Sequence, residues 1–256
     1  MSATPMVSLS SPHLPARNSV SRVMMRVLLA LLPGFALYVA SFGIGILINV
    51  LICVLACLAT EAACLHARGR SLRTYLGDNT AIVTGVLLGL ALPPLTPWWI
   101  PMVGGATAIL LGKQLYGGLG YNPFNPAMLG YVVLLVSFPL QMSLWPSPQP
   151  LWGSEAGIGE QLAVIFGGGW AERIDALSGA TVLDAMRSGL SQGVTISELS
   201  ADGSTGLAAL FSSGTGWIAL AWLAGGLWLL RTGDIRWQIP VGVLAGVFLM
   251  ALPFWA

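Results

Sequence analysis

Charged residues are scarce in this 256-residue chain: Asp, Glu, Lys and Arg make up only 8% of it, whereas 55% of the residues are hydrophobic. Such a balance leaves too little polar surface to cover a water-soluble globule, so lipid is the expected solvent for much of the chain. The eleven Lys and Arg residues form no basic face or run. This distribution excludes a nucleic-acid-binding surface.

Cysteine is also rare, and Cys53, Cys57 and Cys64 all lie within one apolar stretch. Three thiols on one predicted helix cannot join separate loops, so the disulfide framework of an extracellular domain is excluded. Cys53 and Cys57 would lie on one face of a helix, so a metal or cluster site is one possible interpretation. A free cysteine in an apolar helix is more often a small packing residue. The sequence therefore predicts no metal ligands.

The longest apolar runs predict membrane-crossing helices, because about 20 helical residues span the roughly 30 Å of bilayer hydrocarbon. Two further runs, residues 80–94 and 98–112, are short and interrupted by Pro or Gly. They predict broken or re-entrant helices that line a pathway or a cofactor pocket. The expected fold is an all-α polytopic membrane bundle of about seven transmembrane helices. Its five long runs cover residues 23–42, 44–66, 126–145, 207–230 and 239–256.

The basic residues predict the orientation of these helices. Nine of the eleven fall in loops or helix ends on one side of the predicted bundle, namely Arg17, Arg22, Arg26, Arg68, Arg70, Arg73, Lys113, Arg231 and Arg236. By the positive-inside rule that side is cytoplasmic and so is the N-terminus. The domain organisation predicted is a cytoplasmic segment 1–22, a five-helix half 23–145, an outward, periplasmic loop 146–206, and two further helices in 207–256.

The loop 146–206 contains the motif DALSGAT, Asp175 to Thr181, followed by VLDAMRSG. Its small residues predict a tight turn that presents the Thr181 hydroxyl, with Gly179 allowing another backbone to come close. An alternative reading makes Ser178 or Thr181 the N-cap of a short helix over VLDAMRSG. The residues alone leave both readings open.

A second motif, YNPFNPA, places Asn122 and Asn125 directly before prolines. Each proline favours an extended residue before it, so the chain bends here and offers two carboxamides to a ligand or a neighbouring loop. The alternative is a rigid turn with Pro126 at the first position of a helix. Asn125 to Ala127 also spells the NPA motif of aquaporins, but those channels use two copies and this chain has one. A passive channel and a cofactor-free scaffold therefore remain the alternative functions.

Two carboxylates stand at the edges of apolar runs, Asp78 and Glu61. A carboxylate inside a bilayer is costly and marks an ion path when it is present. The alternative readings make Asp78 a helix cap and Glu61 an interfacial charge paired with Arg68 or a neighbour. The candidate residues of an ion or second-flavin pathway are Asp78, Asn79, Thr80, Thr84, Asn122 and Asn125.

Five blocks of the sequence together resemble a known family. They are SPHLPARNSVSRVMMRVLLALLPG, FGIGILINVLICVLACLATEAACL, TGVLLGLALPPLTPWW, GGLGYNPFNPAMLGYVVLLVSFP and DALSGAT. In this order they resemble the D component of the Rnf electron-transport complexes, the membrane-bound ferredoxin:NAD oxidoreductases. They are also similar to the B component of the sodium-pumping NADH:quinone oxidoreductase. The resemblance covers most of residues 11–181.

The resemblance implies a cofactor. In that family a flavin transferase joins FMN through its phosphate to the threonine of a D-x-x-[ST]-G-A-T motif, which makes Thr181 the attachment residue. Asp175, Ser178, Gly179 and Ala180 would form the recognition context. A second, non-covalent flavin such as riboflavin is implied without residues that can be assigned.

The resemblance also implies an assembly. The chain would be a non-autonomous subunit of an oxidoreductase in a bacterial inner membrane, with other membrane and peripheral subunits as partners. Electrons would pass between flavins and iron-sulfur centres while sodium ions or protons cross the bilayer. Members of the family have ten helices in two inverted halves of five, so the resemblance implies a shortened version of that fold here.

Overall fold

The computed structural model describes residues 19–146, 157–167, 170–177, 182–195, 198, 211–212 and 214–251. Within these residues every regular element is helical. The first elements are α1 (Val20–Phe42), α2 (Gly45–Ala67), α3 (Leu72–Leu76), α4 (Thr80–Ala91), α5 (Trp99–Ile109), a π-helical turn (Leu110–Gln114) and α6 (Pro126–Ser137). The others are α7 (Pro139–Ser143), α8 (Ile158–Phe166), α9 (Trp170–Leu177), α10 (Val182–Ser191), α11 (Thr215–Thr232) and α12 (Gln238–Ala251).

Helices α1 and α2 are long and apolar enough to cross a membrane, with 23 residues each. At about 1.5 Å per residue each is roughly 34 Å long, which matches the hydrocarbon thickness. Helix α1 begins where the side chain of Ser19 accepts a hydrogen bond from the Arg22 amide. The helices α4, α6 and α12 are apolar but shorter. The all-α polytopic membrane bundle expected from the sequence is confirmed.

The interrupted segment expected between α2 and α6 is present as two short helices, α4 and α5, separated by a non-helical stretch. Pro93 and Pro94 stop α4 because proline has no amide hydrogen and disfavours a helical residue before it. The carbonyl of Pro93 accepts a hydrogen bond of 2.8 Å from the amide of buried Asn49, and Thr96 donates to the same carboxamide. The break therefore packs against α2, and hydrogen bonds to Asn49 pair the Pro93 carbonyl and the Thr96 hydroxyl.

Helix α4 packs directly on the backbone of α2. A Cβ at Gly85 or at Gly89 would lie 2.6 Å from the Cα of Val54 or Val50. This spacing of four residues puts both glycines on one face, which is the usual way for membrane helices to come close.

Two of the three cysteines join α2 to α5. The Cys53 thiol donates to the carbonyl of Pro101, and the Cys57 thiol donates to the carbonyl of Gly105. Both residues are completely buried. Their contacts are those of small packing residues, as the sequence favoured.

The bundle has two distinct ends. At one end, called here the arginine end, α2 runs into Arg68 to Arg73, Asn79 at the start of α4 donates to Ser21 of α1, and Asp234 after α11 pairs with Arg26. At the other, called the proline end, Pro93 and Pro94 lie beside the start of α2, and α8 and α9 pack there. The basic turns and the helices α8 and α9 of the loop 146–206 thus lie at opposite ends. Which compartment each end faces stays a prediction.

The prediction of one continuous helix over residues 126–145 is wrong. Helix α6 ends at Ser137 and α7 begins at Pro139, with Phe138 between them outside helical geometry. Pro139 causes the break because it restricts Phe138 and cannot donate to the helical ladder. The ring of Phe138 then packs edge-on against Trp99, with centroids 4.9 Å apart.

Candidate functional site

A π-helical turn at the arginine end carries the first part of the site. The Leu115 amide bonds to the carbonyl of Leu110, five residues back, instead of the usual four. The extra residue turns three successive residues inward, and Gly112, Lys113 and Gln114 are all buried. Single π-turns inside α-helices are frequent at functional sites. Here the turn puts a lysine side chain among helices that are otherwise apolar.

Lys113 and Glu61 form a buried ion pair across α2 and this turn. The Nζ of Lys113 lies 2.5 Å from Oε1 of Glu61, and the side chains are 4% and 1% exposed. Gln114 donates a second hydrogen bond of 3.1 Å to the same Oε1. Burying a single unpaired charge here would cost a large desolvation free energy. Each charged group therefore stabilises the other. Glu61 Oε2 is buried and has no hydrogen-bond partner within the part of the chain that the structure describes.

The start of α4 completes the cluster. Lys113 donates to the hydroxyl of Thr80 at 2.6 Å, and Thr80 donates through its amide and its hydroxyl to Asp78, at 2.8 and 2.5 Å. Asp78 therefore caps α4 from two residues away and also connects to the buried pair. The chain can turn so tightly there because Asn79 adopts a left-handed conformation, with φ of 63°, which asparagine tolerates better than most residues.

A cavity of about 370 Å³ opens beside this cluster. Glu61 and Lys113 form part of its wall. The other residues that line it are Leu65, Arg70, Tyr75, Asp78, Gln114, Gly117, Gly118, Leu119 and Tyr121. Two carboxylates and a hydroxyl beside an ammonium group are suited to hold a cation or a proton that exchanges with the lysine charge.

Several residues predicted from the sequence are at this cluster. Asp78 and Thr80 belong to it directly, and Asn79 shapes the turn between them while donating a 3.0 Å hydrogen bond to Ser21. Thr84 is one turn further along α4, where its hydroxyl donates to the Thr80 carbonyl.

The two asparagines of YNPFNPA do not line the cavity. The side chain of Asn122 donates to the Phe124 carbonyl within its own turn, and that of Asn125 accepts from the Ala127 amide as the N-cap of α6. Their place in an ion or second-flavin pathway stays a prediction. The rigid-turn alternative is the observed structure, with Pro126 at the first helical position.

Lys113 and Gln114 are site residues that the sequence did not indicate, and the partner of Glu61 is Lys113, not Arg68, the residue that the alternative reading named. Arg68 does not reach Glu61; it donates to the side chain and the carbonyl of Gln114 instead. The available signal was a lysine inside the apolar run ILLGKQLY. Its inward direction depends on the π-turn, which no residue pattern revealed.

The motif proposed for flavin attachment falls mostly outside the described residues, which include neither Ser178, Gly179 and Ala180 nor Thr181. The flanking backbone is described. Helix α9 contains Asp175 and ends at Leu177, and α10 begins at Val182. The short helix predicted over VLDAMRSG is thus confirmed, and the motif connects two helices.

Comparison with known proteins adds an independent line of evidence. The NQR2, RnfD, RnfE family matches residues 7–256. A protein of Cronobacter sakazakii, named as the D component of an ion-translocating oxidoreductase complex, is 47% identical over 244 residues, which are 92% of this chain and 69% of that protein. Proteins of the same name from Marinobacter nauticus and Escherichia fergusonii are 45% and 41% identical, covering 97% and 96% of this chain and 70% and 72% of their own lengths. The chain belongs to the NQR2, RnfD, RnfE family.

Proposed function

We propose that this chain is the membrane subunit of an ion-translocating oxidoreductase complex, carries FMN on Thr181, and passes electrons across the bilayer while sodium ions or protons cross. The name of its relatives supports two parts of this proposal, membership of an oxidoreductase complex and ion translocation by that complex. The observation that carries the proposal is the buried Lys113–Glu61 pair, because both residues line a polar cavity at the arginine end. In the sequence Thr181 follows helix α9, which packs at the proline end.

Thr181 serves as an attachment point in this proposal. A flavin transferase would esterify its hydroxyl with the phosphate of FMN, and Asp175 with the residues between would be the recognised context. The tether keeps the flavin at high effective concentration beside its electron partners. The isoalloxazine ring supplies the redox chemistry when it is bound. No residue of this chain then needs to act as a general base or a nucleophile toward a substrate.

The cavity at the arginine end serves as the entrance for the coupling ion. By the positive-inside rule this end faces the cytoplasm. Glu61 and Asp78 supply negative charge, and Lys113 supplies an internal positive charge that a cation or a proton must replace. A charge relay of this kind is the usual role of carboxylates buried in membrane helices.

The flavin is tested by producing the chain together with its transferase and the other subunits of the complex. The wild-type chain should show ultraviolet-excited fluorescence after denaturation, and its mass should increase by one FMN phosphoester. Thr181→Ala should abolish both signals. Ser191→Ala is the matched control, since it removes a hydroxyl from nearby α10 that bonds only locally to Ser188.

An unmodified Thr181 in wild-type protein made beside an active transferase would contradict the flavin assignment. That result would not bear on the proposed ion entrance, which is tested separately by the Glu61 variant. Flavin that persists in Thr181→Ala would place the attachment on another residue.

A further inference from the structure

One of the contacts that attach helix α8 to the proline end is made by a glutamine. Gln161 is 3% exposed, and its side-chain oxygen accepts a hydrogen bond of 3.2 Å from the Gly45 amide at the start of α2. Its carboxamide fills the space beside Gly43, where a Cβ would collide with it and where φ is 83°. The glutamine therefore accepts a hydrogen bond from one of the backbone amides that have no partner within the first turn of a helix. This contact fixes α8 to the turn between α1 and α2.

Helix α9 is attached to the break between α4 and α5 through one tryptophan. The indole nitrogen of Trp170 donates a hydrogen bond of 2.7 Å to the carbonyl of Leu95. The Trp98 amide bonds in turn to the carbonyl of Ile165 in α8. The non-helical stretch after Pro94 thus has two backbone groups paired with the two helices that cover it.

An apolar cluster supports these polar contacts. Leu95, Val164, Ile165 and Ile174 are each at most 3% exposed and pack together, with Trp170 at the edge of the group. Burial of aliphatic side chains of this size stabilises the docked arrangement by about 1.5–3 kcal/mol each as an upper estimate. Helices α8 and α9 are consequently an extension of the membrane core.

The proposed attachment residue, Thr181, follows these two docked helices closely in the sequence. Thr181 is four residues beyond Leu177, the last residue of α9. Four residues span at most about 14 Å even when fully extended. Whatever holds α9 therefore limits how far Thr181 can move from the break between α4 and α5.

We propose that Trp170 is a positioning residue for the redox group carried on Thr181: its hydrogen bond to the Leu95 carbonyl holds α9 on the broken helix pair and thereby fixes the distance from the flavin to the membrane core. This inference rests on the proposed function. It assigns to the interrupted α4–α5 segment a second role, as the anchor of helix α9, which precedes Thr181 in the sequence. Gln161 holds the neighbouring helix α8 to the turn between α1 and α2.

The test compares Trp170→Phe with Trp145→Phe in the assembled complex. Both changes remove an indole donor and keep an aromatic ring, but among the described residues the Trp145 indole bonds only to Met142, three residues away. Hydrogen–deuterium exchange of the α9 amides should become about two- to tenfold faster in Trp170→Phe, the change expected when one ordinary hydrogen bond is lost. Exchange in α11 should stay unchanged, which shows that the bundle remains folded.

The flavin itself provides the decisive readout. Its content should be the same in both variants, while in Trp170→Phe its reduction should be slower and its midpoint potential shifted. Faster α9 exchange with unaltered reduction kinetics and potential would make Trp170 merely structural and would overturn the inference, as would unaltered exchange. Absence of flavin from the wild-type protein would instead overturn the proposed function, and the exchange data would still report on docking.

Discussion

The ammonium of Lys113 lies 2.5 Å from the carboxylate of Glu61, and the two residues are 52 positions apart in the sequence. One comes from α2 and the other from the π-turn that follows α5. A pair buried this deeply is strongly coupled, because each charge is tolerated only in the presence of the other.

Removing one member of this pair should therefore cost more than removing both. Lys113→Met leaves Glu61 uncompensated, and we expect a loss of about 3–5 kcal/mol of stability, as for other broken buried pairs. The double variant Glu61→Gln, Lys113→Met should recover most of that loss. Thermal unfolding in detergent of the wild type, both single variants and the double variant measures the coupling. Additive effects of the two single changes would contradict a coupled pair.

Ion transport should depend on the free carboxylate oxygen of Glu61. Glu61→Gln keeps the shape of the side chain but removes its charge, and we expect redox-driven ion uptake by proteoliposomes containing the whole complex to fall by roughly 10- to 100-fold, the worth of a charged hydrogen bond. Flavin content should not change. Glu160→Gln is the control, because Glu160 is exposed and lies on α8 at the other end. Equal uptake by the two variants would remove Glu61 from the ion path.

The close approach of α4 to α2 predicts a steric effect. Gly89→Ala places a Cβ 2.6 Å from the Cα of Val50, so the two helices must move apart, and we expect a loss of about 1–3 kcal/mol. Gly226→Ala in α11 meets no atom of the described residues within 4 Å, and it should be neutral or stabilising. Unfolding midpoints of both variants in the same detergent make the comparison. A midpoint for Gly89→Ala equal to that of the control would show that the helices can separate freely.

The pair between Arg26 and Asp234 predicts a dependence on pH. The hydroxyl of Thr232, together with Arg26, lowers the pKa of Asp234 below its ordinary value. Since the folded-state pKa is depressed, the stabilisation is present above the unfolded pKa, about 3.9, and is lost as the pH falls through the folded value.

Asp234→Asn should accordingly be less stable than the wild type at neutral pH, and the difference should shrink below about pH 4. Unfolding midpoints of both proteins between neutral and acidic pH measure this convergence. A constant difference over the whole range would show that the charge of Asp234 is not the source of its contribution.

Much of the fold follows from local patterns. The apolar runs predicted the bounds of α1 and α2 to within a few residues. A run of about 20 apolar residues is typical of a membrane-spanning helix. Pro93 and Pro94 predicted the break after α4, and Asn125 with Pro126 predicted the start of α6, since proline acts on the residues next to it. The same rule was overlooked at Pro139, where the predicted helix was too long.

The site depended on features that are not local. Asp78 and Thr80 were recognisable as polar residues at a helix start, but Lys113 was interpreted only as a marker of orientation. Whether its side chain enters the bundle depends on the π-turn, and whether it finds Glu61 depends on how α2, α4 and α5 pack. The sequence by itself determined the membrane class, the two long helices α1 and α2 and the family motif, because periodicity, length and proline act within a few residues. Only the tertiary structure decided the charge pair, the cavity and the docking of α9, because these join residues that are dozens of positions apart.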